Sequence, residues 1–289
     1  MGEKDITEKI LVSFPDVFAD IVNGLLFQGQ SIIKPEELHD QAPFSAYKAD
    51  GMVRNIDRDV VKRWEQSGIR IACIGVENQS EPDPYMTLRV IGYDGTEYRA
   101  QMNSGKGPYY PVVTLVLNFD TRKPWNAPKS LYETFSIPDI LKPYVQDYKI
   151  NVFDIAFLTP DQVKLFKSDF RIVADYFVQK RIYGDYNPSP EDVEHMSAVL
   201  QLLSVMADDN RFVEVMNEAK KGDMKNMCDV LDRIEARGVA KGVAEAREEV
   251  VVEMLTDGEP IKKIEKYSKL SESEIREIAA KLNLTVNEG

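Results

Sequence analysis

The stretch from Asp57 to Gln79, DRDVVKRWEQSGIRIACIGVENQ, decides how the rest of the chain is read. Two apolar runs, DRDVVKRW and IRIACIGVENQ, flank Glu65-Gln66-Ser67-Gly68, a combination that predicts a β-hairpin. The second run is apolar on both faces until Glu77, as expected of a central, covered strand. Alternation along that strand puts Glu77 and Gln79 on one face, their Cα atoms about 6.6 Å apart. Directly opposed residues of an antiparallel hairpin share a face, so Asp59 joins that face only if the loop has an odd number of residues. A three-residue loop Gln66-Ser67-Gly68, with Gly68 at the left-handed position, meets this condition and sets Asp59 opposite Gly75, diagonal to Glu77.

Upstream, PDVFADIVNGLLFQG places Val17, Ile21 and Leu25 on one helical face, and Ser31 to Tyr47 is expected to be an irregular connection with at most a short helical turn. Downstream, Asp83-Pro84 supplies an N-cap and a first helical residue for PYMTLRVIGYDGTEYRAQM, in spite of Gly92 and Gly95. YYPVVTLVLNF is the next buried strand. INVFDIAFL is another, closed by the helix start Thr159-Pro160-Asp161. From about Ser189, where Ser189-Pro190 starts a helix, the chain is helical. It includes a long helix from about Met224 to Thr256 and two short ones, IKKIEKYS and ESEIREIAAKL. Sheet elements come first and helices last, which predicts an α/β domain over residues 1–185 and an all-helical region over 186–289. The last two helices have a helix-turn-helix outline. Their Glu-rich second member favours a helical cap or dimerisation element over DNA readout.

At 289 residues and 43% hydrophobic content the chain can bury a sizeable core. Its two cysteines, Cys73 and Cys228, cannot make a disulfide framework, and a reducing cytoplasmic setting fits them best. The opening MGEKDITEKI is charged throughout and no run of about 18 apolar residues occurs, so neither secretion nor membrane spanning is expected. A net charge of −12 argues against coating nucleic acid by charge alone, but leaves room for a locally positive groove. The two histidines, His39 and His195, are far apart with no paired ligand nearby in sequence, a poor start for a His-based zinc site.

What remains for chemistry is mainly carboxylates. Asp59 and Glu77 are hard oxygen ligands suited to Mg²⁺. The Gln79 amide can orient a water or donate to a phosphate oxygen, though it cannot act as a base. The alternative is that both acids are strand-edge residues paired with Lys62, Arg89 or Arg99. Arg89 is a candidate for holding a phosphate, or for an ion pair with Glu77 or Glu81. Asp20 and Asn23 of the first helix are candidates for a further ligand or substrate contact, or for a capping role.

The string RDVVKRW…IRIACIGVENQSEPDPYMTLRVIGYDGTEYRAQ resembles the core of the recombination-promoting nuclease (Rpn) or putative transposase family, a branch of the PD-(D/E)XK nucleases. The family pattern is an aspartate on one strand, Glu-x-Gln on the next, then an Asp-x-x-Met-x-Leu-Arg helix. It falls on Asp59, Glu77-Asn78-Gln79 and Asp83 to Arg89. FADIVNGLLF is similar to the family's N-terminal helix, and Arg237-Gly238-Val239-Ala240-Lys241-Gly242 to its C-terminal part. The resemblance covers most of residues 14–120. It implies a restriction-endonuclease-like core with a mixed sheet flanked by helices, and hydrolysis of DNA in recombination or mobile elements. It also implies Mg²⁺, with Mn²⁺ able to substitute, held by Asp59, Glu77 and the backbone carbonyl of Asn78. Gln79 departs from the parent pattern, which has lysine there. Gly238 and Gly242, between apolar turns of the long helix, point to a homo-oligomer formed through the C-terminal helices.

Overall fold

The computed structural model describes residues 9–40, 44–49, 52–57, 60–64, 69–76, 82–105, 109–219 and 224–288. Pro15 begins the helix predicted near the N-terminus, where its missing N–H costs nothing. This helix, α2 (Pro15–Phe27), follows the short α1 (Lys9–Ser13) and buries Val17, Phe18, Ile21 and Val22. Gly24 is needed on its face, because a Cβ there would overlap the ring of the buried Phe166.

Among the described residues seven strands follow: β1 (Leu38–Asp40), β2 (Phe44–Ala49), β3 (Met52–Asp57), β4 (Val60–Trp64), β5 (Ile69–Val76), β6 (Val112–Asn118) and β7 (Asn151–Asp154). The main sheet has the order β1-β4-β5-β6-β7, antiparallel from β1 to β5 and parallel from β5 to β7, while β2 and β3 form a separate antiparallel hairpin. The chain is therefore α/β with a five-stranded mixed sheet. Two expectations change. The irregular connection over 31–47 contains β1 and the start of β2, and β1 buries only Leu38, too brief a signal for a period-two pattern. Its place is set by its partner instead: Trp64 pairs with Leu38 and donates from Nε1 to Glu37 at 2.9 Å, and the fully buried Lys62 donates to Asp40 at 2.5 Å. The hairpin β4–β5 forms as predicted, but Trp64 pairs with Ile69, leaving four residues between the strands rather than three. Anchoring of Trp64 on the β1 side fixes that register, and the odd-loop condition behind the placement of Asp59 is not met.

The crossover between the parallel strands β5 and β6 contains α3 (Met86–Ser104), which starts two residues later than predicted, with Asp83 accepting the backbone N–H of Tyr85 at 2.8 Å. Its first turns bury Met86, Val90 and Tyr93 against Val116, Trp125 and Ile150. Further along, its inward face is polar. Asp94 accepts from the Thr114 hydroxyl at 2.7 Å and from the Tyr148 hydroxyl. Glu97 pairs with Arg70, their side chains 5% and 8% exposed, and accepts from the Tyr110 hydroxyl. Gln101 exchanges two hydrogen bonds with the backbone of Tyr110, at 2.9 and 3.1 Å.

The remaining helices of the N-terminal part are α4 (Leu131–Thr134), α5 (Pro160–Val163), α6 (Phe170–Tyr183), α7 (Met196–Met206) and α8 (Arg211–Ala219). Thr159 and Gln162 make the capping box expected at the start of α5. Phe119, just past β6, packs on Phe177 of α6 with ring centroids 5.0 Å apart. The helix expected from Ser189-Pro190 begins at Met196, because the backbone N–H groups of Glu194 and His195 are taken by the carboxylate of Asp169.

The chain divides into two compact units, Met1–Cys228 and Asp229–Gly289. Residues 186–228, grouped by sequence with the C-terminal helices, fall in the first unit: α7 buries Val199, Leu200, Leu202 and Leu203 and packs on α1, α6 and α8. The second unit takes most of α9 (Met227–Thr256), then α10 (Ile261–Ser268) and α11 (Glu272–Leu282). It has its own core of Val251, Leu255, Ile261, Ile264, Ile275 and Ala279. Gly258, at φ +70°, makes the break after α9 that the sequence predicts. Among the described residues, no helix is long and apolar enough to cross a membrane.

Glu97→Ala removes the carboxylate of a nearly buried ion pair with Arg70, and we expect it to destabilise the first unit by about 3–5 kcal/mol in urea unfolding. The double replacement Arg70→Met with Glu97→Leu should recover most of that loss. A single variant as stable as the parent chain would show that the ion pair is not what holds α3.

Candidate functional site

Asp59, Glu77, Asn78 and Gln79 lie outside the described residues. The described chain stops beside them at Val60, the first residue of β4, and Val76, the last of β5. Since β4 and β5 are antiparallel, these two points belong to the same end of the sheet, the carboxyl end of the parallel strands β5, β6 and β7. In open α/β sheets that end is where ligands bind.

The described groups at that end are polar, with Asn118 and Asp120 buried and Asp154 partly so. Asn118, the β6 partner of Val76, donates from Nδ2 to Asp154 at 2.7 Å. Asp154 also accepts the backbone N–H of Trp125 at 2.8 Å. Asp120 is fully buried and holds Arg122 through both carboxylate oxygens, at 2.9 Å each. Burial works to raise the Asp120 pKa, yet the Arg122 guanidinium and the backbone N–H groups of Arg122 and Lys123 hold it below the usual carboxylate range. Asn118, Asp120 and Asp154 were not singled out by sequence. The available signal was the polar stop of an apolar strand, Asn118-Phe119-Asp120 after VVTLVL.

The other predicted residues have defined partners. Asp20 accepts from the backbone N–H groups of Lys167 and Ser168 and from the Ser168 hydroxyl, at 2.7–2.8 Å, through one oxygen. The Asn23 side chain accepts from the backbone of Ile32 and Ile33 and donates to the carbonyl of Ile33. Both side chains, buried rather than on the helix surface, fasten loops to α2. Arg89 pairs with Asp83 at 3.2 Å and donates to the Tyr93 hydroxyl, while Glu77 and Glu81, the partners considered from sequence, lie outside the described residues. Tyr93 is a core residue, and Tyr98 accepts the backbone N–H of Val112.

One grouping escaped the sequence reading. Ligand atoms of Asp16, Glu194 and His195 all lie within 4.8 Å of one another. His195 does have carboxylates beside it, one of them 179 positions away in the chain, a separation that no spacing motif can register.

Asp20→Ala should leave three donors of the 167–168 loop without their acceptor, and we expect a loss of about 1–3 kcal/mol in thermal or urea unfolding. Hydrogen exchange at the Lys167 and Ser168 amides should accelerate. Unchanged protection at those two amides would refute the clamp.

Residues 71–211 match the model of the family described as Putative transposase, YhgA-like, which is the Rpn group that the sequence resembles. No curated protein and no solved structure matches the chain. Over residues 71–211, from within β5 to the start of α8, this chain is similar to the YhgA-like family of putative transposases.

Proposed function

We propose that the chain is a metal-dependent endodeoxyribonuclease with a PD-(D/E)XK core, which hydrolyses DNA phosphodiester bonds in recombination or mobile elements and acts in the cytoplasm. The family match carries this reading, because the matched segment includes Glu77-Asn78-Gln79 and the whole of α3. The family's description as transposase-like supports a nuclease-like role tied to mobile elements.

Two carboxylates and a backbone carbonyl, from Asp59, Glu77 and Asn78, make an all-oxygen donor set that fits Mg²⁺, or Mn²⁺ in its place. When bound, the ion supplies polarisation of a phosphoryl oxygen and a more acidic water. In this proposal Asp59 and Glu77 hold it, and the Gln79 amide orients the attacking water or donates to a phosphate oxygen. The described acids at the carboxyl end do not compete, since Asp120 is committed to Arg122 and Asp154 to Asn118 and Trp125.

Glu77→Ala should abolish Mg²⁺-dependent nicking of supercoiled plasmid, with the circular dichroism spectrum unchanged. Gln79→Lys should keep activity if the amide occupies the role of the parent lysine. DNA binding by the parent chain without cleavage at saturating Mg²⁺ would refute the nuclease and favour a silent, DNA-binding descendant of the fold.

The same reading includes a homo-oligomer formed through α9. Ala236, Val239, Val243, Ala246 and Val250 recur at alternating steps of three and four, the period of a two-helix seam, and are exposed. Arg233, Arg237 and Lys241, interspersed with Asp229, Asp232 and Glu235, stand in the first half of the helix, and Glu245, Glu248, Glu249 and Glu253, with Arg247, in the second. An antiparallel second copy would set the acidic second half beside the arginines and lysine of the first. Val239→Glu with Val243→Glu should reduce the light-scattering mass to that of one chain while leaving the unfolding temperature and cleavage of bare DNA intact. A parent chain that is monomeric at about 100 µM, well above a micromolar Kd, would end this part of the proposal.

A further inference from the structure

Asp16 stands in the first turn of α2, Glu194 and His195 just before α7, and these distant segments bring one imidazole and two carboxylates together. We propose that Asp16, Glu194 and His195 form a binding site for a divalent transition-metal ion of the zinc type. It is separate from the all-oxygen Mg²⁺ site proposed above in both residues and donor chemistry.

Three features support it. First, the distance between His195 Nε2 and Asp16 Oδ2 is 3.2 Å. Two ligands at about 2.1 Å from a tetrahedral ion stand about 3.4 Å apart, so this pair is already near the required spacing. Glu194 is exposed and can turn the short remaining distance. Second, the imidazole is held in place. Its ring stacks on Phe14 with centroids 3.8 Å apart and planes 14° from parallel, and Asp169 accepts the backbone N–H groups of both Glu194 and His195. The stack limits rotation of the ring, and Asp169 fixes the backbone that carries both His195 and Glu194. Third, a cleft lined by Asp16, Asn23, Lys34, Lys167 and Glu194 opens beside the group, which gives an ion a path in and room for a water as fourth ligand.

A simple hydrogen bond between His195 and Asp16 accounts for the 3.2 Å contact. It leaves Glu194 as a second carboxylate within 4.8 Å of the first, with no role in that hydrogen bond. A cation removes the repulsion and links the start of α2 to the start of α7. The mixed nitrogen and oxygen donors favour Zn²⁺, Co²⁺ or Mn²⁺ over Mg²⁺, which takes oxygen ligands and water.

The full chain, stripped by chelator and dialysed, is titrated with Zn²⁺ by calorimetry and with Co²⁺ by absorption, both in excess Mg²⁺. One equivalent of Zn²⁺ per chain, visible Co²⁺ bands and a raised unfolding temperature with Zn²⁺ are expected. His195→Gln should lose all three. Glu194→Gln, at an exposed position that folding does not depend on, should bind Zn²⁺ more weakly. Absence of saturable binding by the parent chain overturns the site, as does one equivalent retained at unchanged affinity in both variants. Asp59 and Glu77 are untouched, so Mg²⁺-dependent cleavage is read independently and its failure would count against the nuclease proposal alone.

Discussion

The inward face of α3 is the constraint on which the rest of the first unit depends. Asp94, Glu97 and Gln101 are buried, and each has partners on the sheet or the segments around it: Thr114 of β6, Arg70 of β5, Tyr148 before β7 and Tyr110 before β6. An apolar helix face could slide along a sheet at little cost. A face of acids and amides cannot, because each partner left behind is a buried polar group without a bond. The helix therefore fixes the height of β5, β6 and β7 relative to one another.

That fixed height shapes the carboxyl end of the sheet. β6 is apolar through Leu117 and then changes to Asn118, Phe119 and Asp120, with Asp154 of β7 alongside. The polar groups are hydrogen-bonded among themselves and to Arg122 and Trp125, so the end is rigid before any ligand arrives. Rigid supporting groups are what a catalytic edge needs, since small displacements of reacting groups cost rate steeply. The two chain positions next to Asp59 and Glu77 emerge at this same end.

Much of this was legible in the sequence, for identifiable reasons. α2, β5, β6, α9 and the two last helices carry long or strongly periodic apolar patterns, and each was read in nearly its observed place. β1 was missed because it has one buried residue and owes its place to Trp64 and Lys62 on the neighbouring strand. α3 was recognised as a helix, but a rule that sets charge outward would turn its acidic face to solvent. α7 and α8 were assigned to the wrong part because composition reports that a segment is helical, not which core it joins. For the proposed nuclease residues, strand period and hairpin parity apply only along a ladder, and the described ladder ends at Val60 and Val76. The Asp16, Glu194 and His195 group depends on chain closure over almost the whole first unit, which local pattern does not encode.

The clamp between Asp20 and the 167–168 loop has a consequence for how the protein is made. α2 leaves the ribosome well before the loop that its carboxylate fastens, which lies 147 and 148 positions later than Asp20. At about 5–20 residues per second, Val17, Phe18, Ile21 and Val22 wait about 7–30 s for that cover. Such long-range closure is entropically late, so the sheet and α3 have time to assemble before α2 is locked down. During synthesis α2 is thus a segment that a chaperone would protect, although in the finished protein it is among the deeply buried helices described.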